Sequence, residues 1–471
     1  MTNPAIYENV EIIDAGSEGK AVARVKDMVV FVPFVVPGDV VDIQITRKRR
    51  NYREGKAIRF HKYSEKRQEA FCSHFGTCGG CRWQNMQYAE QLKYKQKQVE
   101  DNIQRIGKIE DALVLPIIPS ENDQFYRNKL EYTFSNHRWL TDEDKHDSER
   151  VADTNALGFH IPAMFDKVLD IDKCWLQSDP SNAIRLEAKR YAQEHALSFY
   201  DVRIWQGFLR NMVIRCTGTG EWMVIMVFRT FEADIVKGFM DNLCEKFPEI
   251  TSMYYVINDK KNDVTTDLPY HHYKGKTFIT EKMMNLAGNK EIDFRIGPSS
   301  FFQTNSRQAN VLYRVAGEFA EFKGTETVYD LYTGIGTIAS FIAGSVKKVV
   351  GIESVAAAIE DAKENALLNK ITNTSFFAGE TEKILDPAFF SVNGKPEVII
   401  TDPPRAGMHE KVIRAMLEAE PDRIVYVSCN PATQARDIAI LAEKYHLVKC
   451  QPVDMFPHTQ HVENVALLKR S

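Results

Sequence analysis

The chain has no segment built to enter a membrane. Its amino terminus, Met1-Thr2-Asn3-Pro4-Ala5-Ile6-Tyr7-Glu8, has no basic cluster leading into an apolar core, so it does not read as a secretory leader. The apolar stretch from Val29 to Val36 is interrupted by Pro33 and does not read as a spanning helix. Internal repeats and low-complexity tracts are missing as well, which argues against solenoids and disordered tails. Cysteine is sparse, eight in 471 residues, so disulfide stapling is not needed for stability, and clustered thiols in a reducing compartment more often hold metal. A hydrophobic fraction of 44% and a charged fraction of 26% are those of a globular protein. The length exceeds one ordinary core and predicts two or three domains. A cytoplasmic monomer without a membrane partner is the expectation.

The net charge of -4 hides an uneven distribution. From Arg47 to Arg67 there are ten Lys or Arg residues against only Glu54 and Glu65, a local excess of eight positive charges. Tyr52, Phe60 and Tyr63 are interleaved, so the stretch offers phosphate contacts and rings on which bases could stack. A plain solvated surface is the competing reading. Before and within it, Val10–Asp14, Ala21–Val25, Met28–Val32, Asp39–Ile45 and Glu54–Ile58 read as five short strands separated by Gly, Pro and Asp turns. That spacing predicts a small closed barrel over residues 1–62. The segments Ala15-Gly16-Ser17-Glu18-Gly19-Lys20-Ala21 and Val36-Pro37-Gly38-Asp39 resemble the TRAM domain, an oligonucleotide-binding-like barrel found on RNA-modifying enzymes.

Cys72-x5-Cys78-Gly79-Gly80-Cys81 brings three thiols into one glycine-rich loop, and Cys174 in Asp172-Lys173-Cys174-Trp175 is a fourth candidate ligand. Four thiolates can close around zinc or an iron–sulfur cluster, and spacing does not choose between them. The pattern is not the C-x3-C-x2-C of radical enzymes. A helix with an apolar stripe at Tyr88, Leu92, Val99, Ile103 and Ile106 follows, its Lys and Gln residues expected to face solvent. Residues 63–285 read as an α+β central domain with strand-like runs at Leu209–Arg215 and Trp222–Val227. The charged run from Thr141 to Arg150 reads as an exposed loop.

Residues 286–471 read as a Rossmann-like α/β domain. Thr327–Tyr332 is a strand, Thr333-Gly334-Ile335-Gly336 a turn that lets a cofactor approach the backbone, and Val349–Glu353 a second strand ending in a carboxylate. Gly334-x-Gly336-x-x-Ala339 with Glu353 also fits a dinucleotide fingerprint, so an oxidoreductase remains open on those residues alone. The strand Val398–Thr401 followed by Asp402-Pro403-Pro404-Arg405 disfavours it, because this rigid carboxylate resembles the layout of methyltransferases acting on nucleic-acid bases. Cys429 ends the β-branched run Ile424–Ser428, placing its sulfur at the ligand-binding edge of an open sheet. With Glu463 it forms a candidate nucleophile and base for a nucleobase ring. Taken singly, Cys429 reads as a buried strand cysteine and Glu463 as a surface residue.

Together, Ser300–Asn305, Asp330–Gly334, Asp402–Arg405, Ser428–Thr433 and His458–Glu463 resemble the RNA uracil-5-methyltransferase family over nearly the whole chain. The resemblance implies an S-adenosylmethionine (SAM) enzyme acting on RNA, with 23S ribosomal RNA favoured and tRNA as the alternative. It implies Cys429 as the thiolate adding to carbon 6 of uracil and Glu463 as the base removing the carbon 5 proton. SAM contacts would fall on Gln303, Tyr332, Glu353 and Asp402, and a 4Fe-4S cluster on Cys72, Cys78, Cys81 and Cys174. Arg127, Asn128 and Lys129 are further expected RNA contacts. Thr337, where one branch of the family has Asn, and Thr333, where it has Cys, discourage assignment to a branch. A non-catalytic iron–sulfur RNA-binding factor remains the reading from another class.

Overall fold

The structure is a computed structural model that describes residues 5–471; Met1–Pro4, on which the leader reading partly fell, lie outside the described residues. The chain divides into two compact units. One comprises the chain up to Gly76, Gly80–Asp123 and Asp402–Ser471, and the other Thr77–Gly79 and Gln124–Thr401. No helix among the described residues is long and apolar enough to cross a membrane.

The first unit begins with a closed five-stranded barrel of Ile6–Ala15, Ala21–Val25, Met28–Val32, Val40–Lys48 and Tyr52–Lys62. Alternate residues point inward, as a strand's period of two requires, so Ala21 and Ala23, Val30 and Val32, and Val41, Ile43 and Ile45 fill one core with Val10 and Ile12. The five expected strands are all present. Closure is tight at Gly55, where a Cβ would lie 2.4 Å from Ile43 Cγ2. The chain's exit from the barrel is held by the fully buried carboxylate of Asp39. It accepts from the Val36 N–H (2.7 Å), the Ser64 N–H (2.9 Å), and Arg67 through both Nε and Nη2 (2.7 Å each).

The barrel leads to the helix Tyr88–Arg105, whose buried residues are Gln91, Lys95, Val99 and Ile103, spaced four apart on one face. The expectation that its Lys and Gln residues face water therefore fails at two positions. Both are buried because they have polar partners far along the chain, described below. This helix packs on Pro431–Leu441 and Tyr445–Val453. In the same unit, the strand Glu463–Arg470 lies antiparallel between Arg423–Ser428 and Tyr445–Val453, with Asn464 opposite Ser428 and Glu463 opposite Val453.

The second unit holds a seven-stranded sheet in the order His271–Gly275, Ile250–Ile257, Trp222–Phe228, Leu209–Cys216, Lys129–Ser135, Ala156–His160, Val168–Asp170. Trp222–Phe228 is buried at every residue and runs parallel to Ile250–Ile257, with the helix Ala233–Lys246 as the crossover. Its unbroken apolar run is that of a strand covered on both faces. The Thr141–Arg150 stretch is not simply a loop, since short helical turns form at Asp144–His146 and Ser148–Ala152. Asp144 is buried there, accepting from Arg138 and from the Thr141 N–H.

The Rossmann-like part of this unit has four parallel strands in the order Thr374–Ala378, Lys348–Glu353, Thr327–Leu331, Val398–Thr401. Chain order reverses between the last two, which is the switch point at which open α/β sheets bind ligands beyond the strands' carboxyl ends.

Removing the Asp39 carboxylate leaves Arg67 and two N–H groups without their acceptor. Asp39→Ala is expected to lower unfolding free energy by about 3 kcal/mol, measured by urea denaturation; a loss under about 0.5 kcal/mol would show that the barrel exit does not depend on it.

Candidate active site

Cys429 follows immediately after the strand Arg423–Ser428, and Asn430 caps the next helix by accepting from the Ala432 N–H (3.1 Å). The thiol is thus half-buried between a strand end and a helix start. The 402–408 turn is fixed to this helix through the carbonyls of Arg405, Ala406 and Met408 and through the Met408 N–H, which donates to Asp437 Oδ2 (2.8 Å). Arg405 O accepts from Asn430 Nδ2 (3.1 Å) and Thr433 Oγ1 (3.3 Å). Two residues on, Gly407 has φ of +79°, and a Cβ there would lie 2.6 Å from Arg436 and 2.7 Å from Asp437. Glu463, the first residue of its strand, is buried, and its neighbour Asn464 donates to Gln434 Oε1 (2.7 Å). Gln434 Nε2 in turn donates to Tyr426 O and Asn464 O, tying the helix to both flanking strands.

These elements gather four charged or nucleophilic groups. Burial pushes the Cys429 thiol up to about 11, with the carboxylates of Glu463 and Asp402 adding to the rise and Arg405 opposing it. Burial likewise pushes Glu463 up to about 8, again with Asp402 raising it and Arg405 lowering it. At rest near neutrality the site therefore holds a thiol and a protonated Glu463, with Arg405 as the group that favours ionising both. The spacing of Asp402 and Arg405 is legible as a motif, but the role of Arg405 is not.

A second set of residues, invisible to sequence reasoning, anchors the segment leading into Glu463. Lys95 Nζ, fully buried, donates to Asp454 Oδ1 (2.6 Å) and Phe456 O (3.0 Å), and Tyr88 Oη donates to Asp454 Oδ2 (2.8 Å). Gln91 Oε1 accepts from the His458 N–H (2.8 Å), while its Nε2 lies 3.2 Å from His458 Nδ1. His458 O accepts from the N–H groups of Arg82 and Trp83, and the Phe71 ring meets the imidazole edge-on at 5.1 Å. His458 itself sits at φ of +64°, a left-handed conformation sustained by these contacts. Both flanks of the Cys72–Cys81 loop thus grip the turn that precedes Glu463. His458 is committed to this clamp, and no group of three or more His, Cys, Asp or Glu among the described residues is arranged around a metal.

In the second unit, the turn after Thr327–Leu331 is built for a cofactor's approach. Tyr332, Gly334 and Gly336 all have left-handed φ, +64°, +56° and +76°. Above Gly334 nothing lies within 4 Å of where a Cβ would be. Glu353 Oε2 accepts from the Gly334 N–H (3.2 Å) and its Oε1 from the Val355 N–H (3.0 Å), so the carboxylate ends its strand beside the open turn. Asp330, fully buried, accepts from Thr333 Oγ1 and the Ala339 N–H, and burial raises it to about 7. Gln303 is held by Asn128, 175 residues earlier in the chain, which donates to Gln303 O (2.9 Å), Thr304 O (2.7 Å) and Ser306 Oγ (2.7 Å). Asn128 is therefore an internal brace. Lys129 is half-buried, its ammonium disfavoured by burial and by Arg215, and Arg127 Nε donates to Lys129 O.

The basic stretch forms the hairpin of the last two barrel strands. Tyr52 packs edge-on against Phe31, whereas Phe60 and Tyr63 stack at 5.0 Å with the Arg67 guanidinium over both rings. The thiols of Cys72, Cys78 and Cys81 are half-buried and Cys174 is buried, none in a disulfide. The Cys72 N–H donates to Gln84 Oε1 (3.3 Å), and Asn182 clamps Cys174 by accepting from its N–H (2.8 Å) and donating to its carbonyl (3.2 Å).

Comparison with known proteins agrees with this reading. A TRAM domain matches residues 7–58, and the tRNA (Uracil-5-)-methyltransferase family matches residues 273–471. An uncharacterized RNA methyltransferase of Bacteroides thetaiotaomicron is 54% identical over 456 residues, 96% of this chain and 99% of that protein. Another, of Porphyromonas gingivalis, is 50% identical over 469 residues, 98% and 100% of the two chains. Among solved structures, the Pyrococcus abyssi tRNA (uracil-54, C5)-methyltransferase in complex with S-adenosyl-L-homocysteine aligns with a TM-score of 0.73 at 29% identity, covering 98% of this chain and 100% of that one. Fold and similarity together define a SAM-dependent methyltransferase acting on RNA. The chain belongs to the RNA uracil-5-methyltransferase family that carries a TRAM domain.

Because Glu463 is raised from 4.5 to about 8, the folded state binds a proton that the unfolded state releases between those values, and stability falls as pH rises through that window. Glu463→Gln abolishes this term. Its melting temperature is expected to exceed that of the wild type by a margin that widens from pH 5 to pH 8; a constant margin would show that Glu463 is ionised at rest.

Proposed function

We propose that the chain methylates carbon 5 of a uridine in 23S ribosomal RNA, with Cys429 as nucleophile and Glu463 as base. The observation that carries this reading is the set of Cys429, Glu463, Asp402 and Arg405, each acting electrostatically on the thiol or the carboxyl. Bound SAM supplies an electrophilic methyl group, and the open turn at Gly334 with Glu353 beside it fits such a cofactor. Gln303, Tyr332, Glu353 and Asp402 are the proposed contacts.

Carbon 5 of uracil is too poor a nucleophile to take a methyl group unaided. The Cys429 thiol loses its proton to solvent, with Arg405 favouring the thiolate, and the sulfur adds to carbon 6. The ring's electron pair moves to the carbonyl oxygen as an enolate, which makes carbon 5 nucleophilic. After methylation at carbon 5, ionised Glu463 takes the carbon 5 proton, the carbon 5–carbon 6 double bond re-forms, and the thiolate departs. The target base must be flipped or presented single-stranded to reach the sulfur. Arg47–Arg53 and the stacked Phe60–Tyr63 pair would hold flanking RNA.

The same proposal assigns Cys72, Cys78, Cys81 and Cys174 to a 4Fe-4S cluster. None of the four is in a disulfide, and side chains that hold the Cys72 and Cys174 backbones support the assignment. The cysteine loop and the barrel support a ribosomal substrate. A tRNA substrate is the second reading, favoured by the likeness to the Pyrococcus abyssi enzyme.

5-Fluorouridine blocks the final proton removal, so incubation with SAM and fluorinated RNA is expected to leave a denaturation-resistant protein–RNA adduct that is lost in Cys429→Ala. Methylation by that variant should fall by at least about a thousandfold, the scale for losing a covalent nucleophile. An adduct with ribosomal RNA supports the first reading and one with tRNA alone the second. SAM binding without an adduct on either RNA would overturn the mechanism.

Anaerobically purified protein is expected to carry about four iron atoms and as many sulfides per chain, with Cys174→Ser losing most of them. Zinc in their place would overturn the cluster assignment.

A further inference from the structure

The segment that carries Gln303 is gripped by the end of a sheet to which it does not belong. In the seven-stranded sheet, Lys129 lies opposite Arg215, and the Cys216 N–H donates to Asn128 O (2.9 Å). Arg215 and Asn128 thus sit side by side at one end of two paired strands. Arg215 is buried, and its guanidinium donates to Gly297 O (2.8 Å), Pro298 O (3.2 Å) and Ser300 O (2.7 Å). Asn128 takes the next stretch through its bonds to Gln303 O, Thr304 O and Ser306 Oγ. Two clamps from one sheet end therefore fix the backbone on both sides of Phe301 and Phe302 and at Gln303 itself.

The same segment is tied to the turn built for a cofactor. Ser300 Oγ accepts from the Gly297 N–H (2.9 Å) and donates to Asp361 Oδ2 (2.6 Å) in the helix Ala356–Leu368. One turn further along that helix, the fully buried Asn365 accepts from the Arg295 N–H (2.8 Å) and donates to Ile335 O (3.2 Å), between Gly334 and Gly336. The helix sets how far the segment stands from the turn. The sheet end sets the path of the backbone that bears Gln303. Withdrawing a guanidinium from water is costly, and only acceptors in a fixed arrangement around its planar fork offset that cost. Arg215 accordingly specifies one path for residues 297–300.

We propose that Arg215 and Asn128 are positioning residues for SAM: they hold Gly297–Thr304 so that Gln303 meets the cofactor at the Gly334 turn. The affinity for SAM is then set in part by the end of a sheet that does not itself carry the cofactor turn. The inference rests on the assignment of Gln303 as a SAM contact made above.

The test measures the dissociation constant for SAM by calorimetry on anaerobically purified full-length wild type, Gln303→Ala, Arg215→Met, Asn128→Ala and the double variant Arg215→Met/Gln303→Ala. Melting temperatures establish that each is folded where it is measured. Gln303→Ala and Arg215→Met are each expected to weaken SAM binding by about tenfold or more, the scale of one hydrogen bond to a charged ligand. Asn128→Ala should shift in the same direction. The double variant should bind no more weakly than the weaker of its two parents, because Arg215 acts through Gln303. A merely structural loss would instead add to that of Gln303→Ala. Additive losses, or a folded Arg215→Met with wild-type affinity, overturn the proposal. Should Arg215→Met not fold, Asn128→Ala combined with Gln303→Ala decides by the same criterion. Wild-type affinity in Gln303→Ala overturns the assignment of Gln303 and this proposal with it, and is read before the other variants.

Discussion

The ion pair between Lys95 and Asp454 is the contact on which the segment leading into Glu463 depends. Both side chains are withdrawn from water, and burial alone would strip the proton from Lys95; the Asp454 carboxylate opposes that. Such a pair is seldom worth more than the apolar packing that could replace it, so its value lies in specifying one arrangement. Here it specifies where residues 454–458 run. Lys95 also holds Phe456 O, Tyr88 holds the other oxygen of Asp454, and Gln91 fixes both the backbone and the imidazole of His458. A single helix thereby dictates the path of the chain up to the residue five positions before Glu463.

The same burial that fixes the site works against its chemistry. A thiol raised from 9.0 to about 11 has about a hundredfold less thiolate near neutrality. A more basic thiolate is a better nucleophile, but with a Brønsted slope of about 0.4–0.5 the gain recovers less than about tenfold. The balance is a net loss, so the group that favours ionisation matters more than its exposed position implies. Arg405 is that group, and its backbone carbonyl is tied by Asn430 and Thr433 to the helix that follows the cysteine. The arginine that favours the thiolate is thus anchored to the turn that follows Cys429.

Much of this was legible in the sequence where the signal is local. Alternation in Val30–Val32 and Val41–Ile45 encodes the barrel, and the β-branched run before Cys429 places the sulfur at a strand end. The GxG turn and Glu353 lie nineteen residues apart and meet through the Gly334 N–H. What was not legible depends on partners far apart in the chain. The segment Lys93-Tyr94-Lys95-Gln96-Lys97 reads as a solvated helix face, and nothing in it marks Lys95 as the residue that meets an aspartate 359 positions away. Asn128 likewise sits between two cations and reads as an RNA contact, yet its amide is spent on the Gln303–Ser306 segment. Polar side chains declare their exposure, not their appointments, and the apolar stripe read at Tyr88, Leu92, Val99, Ile103 and Ile106 carries no mark that Gln91 and Lys95 are buried with it.

In the proposed reaction, the environment of Glu463 fits it to one step and unfits it for another. Proton removal from carbon needs a base stronger than an ordinary carboxylate, and the efficiency of such a base rises with its proton affinity. Burial and the neighbouring Asp402 charge supply that increase, bringing Glu463 to about 8, close to the ambient pH at which a general base combines useful strength with a useful ionised fraction. The cost is that the resting enzyme holds Glu463 mostly protonated, so in the proposed reaction the carboxyl must ionise before the carbon 5 proton can leave. Arg405 lowers the proton affinity of both Glu463 and Cys429, which couples the two ionisations: a site that is readier to form the thiolate is also readier to free the base. Asp402 pulls both the other way. The turn Asp402-Pro403-Pro404-Arg405 therefore carries opposing charges three residues apart, and the stiffness of its two prolines fixes the balance between them.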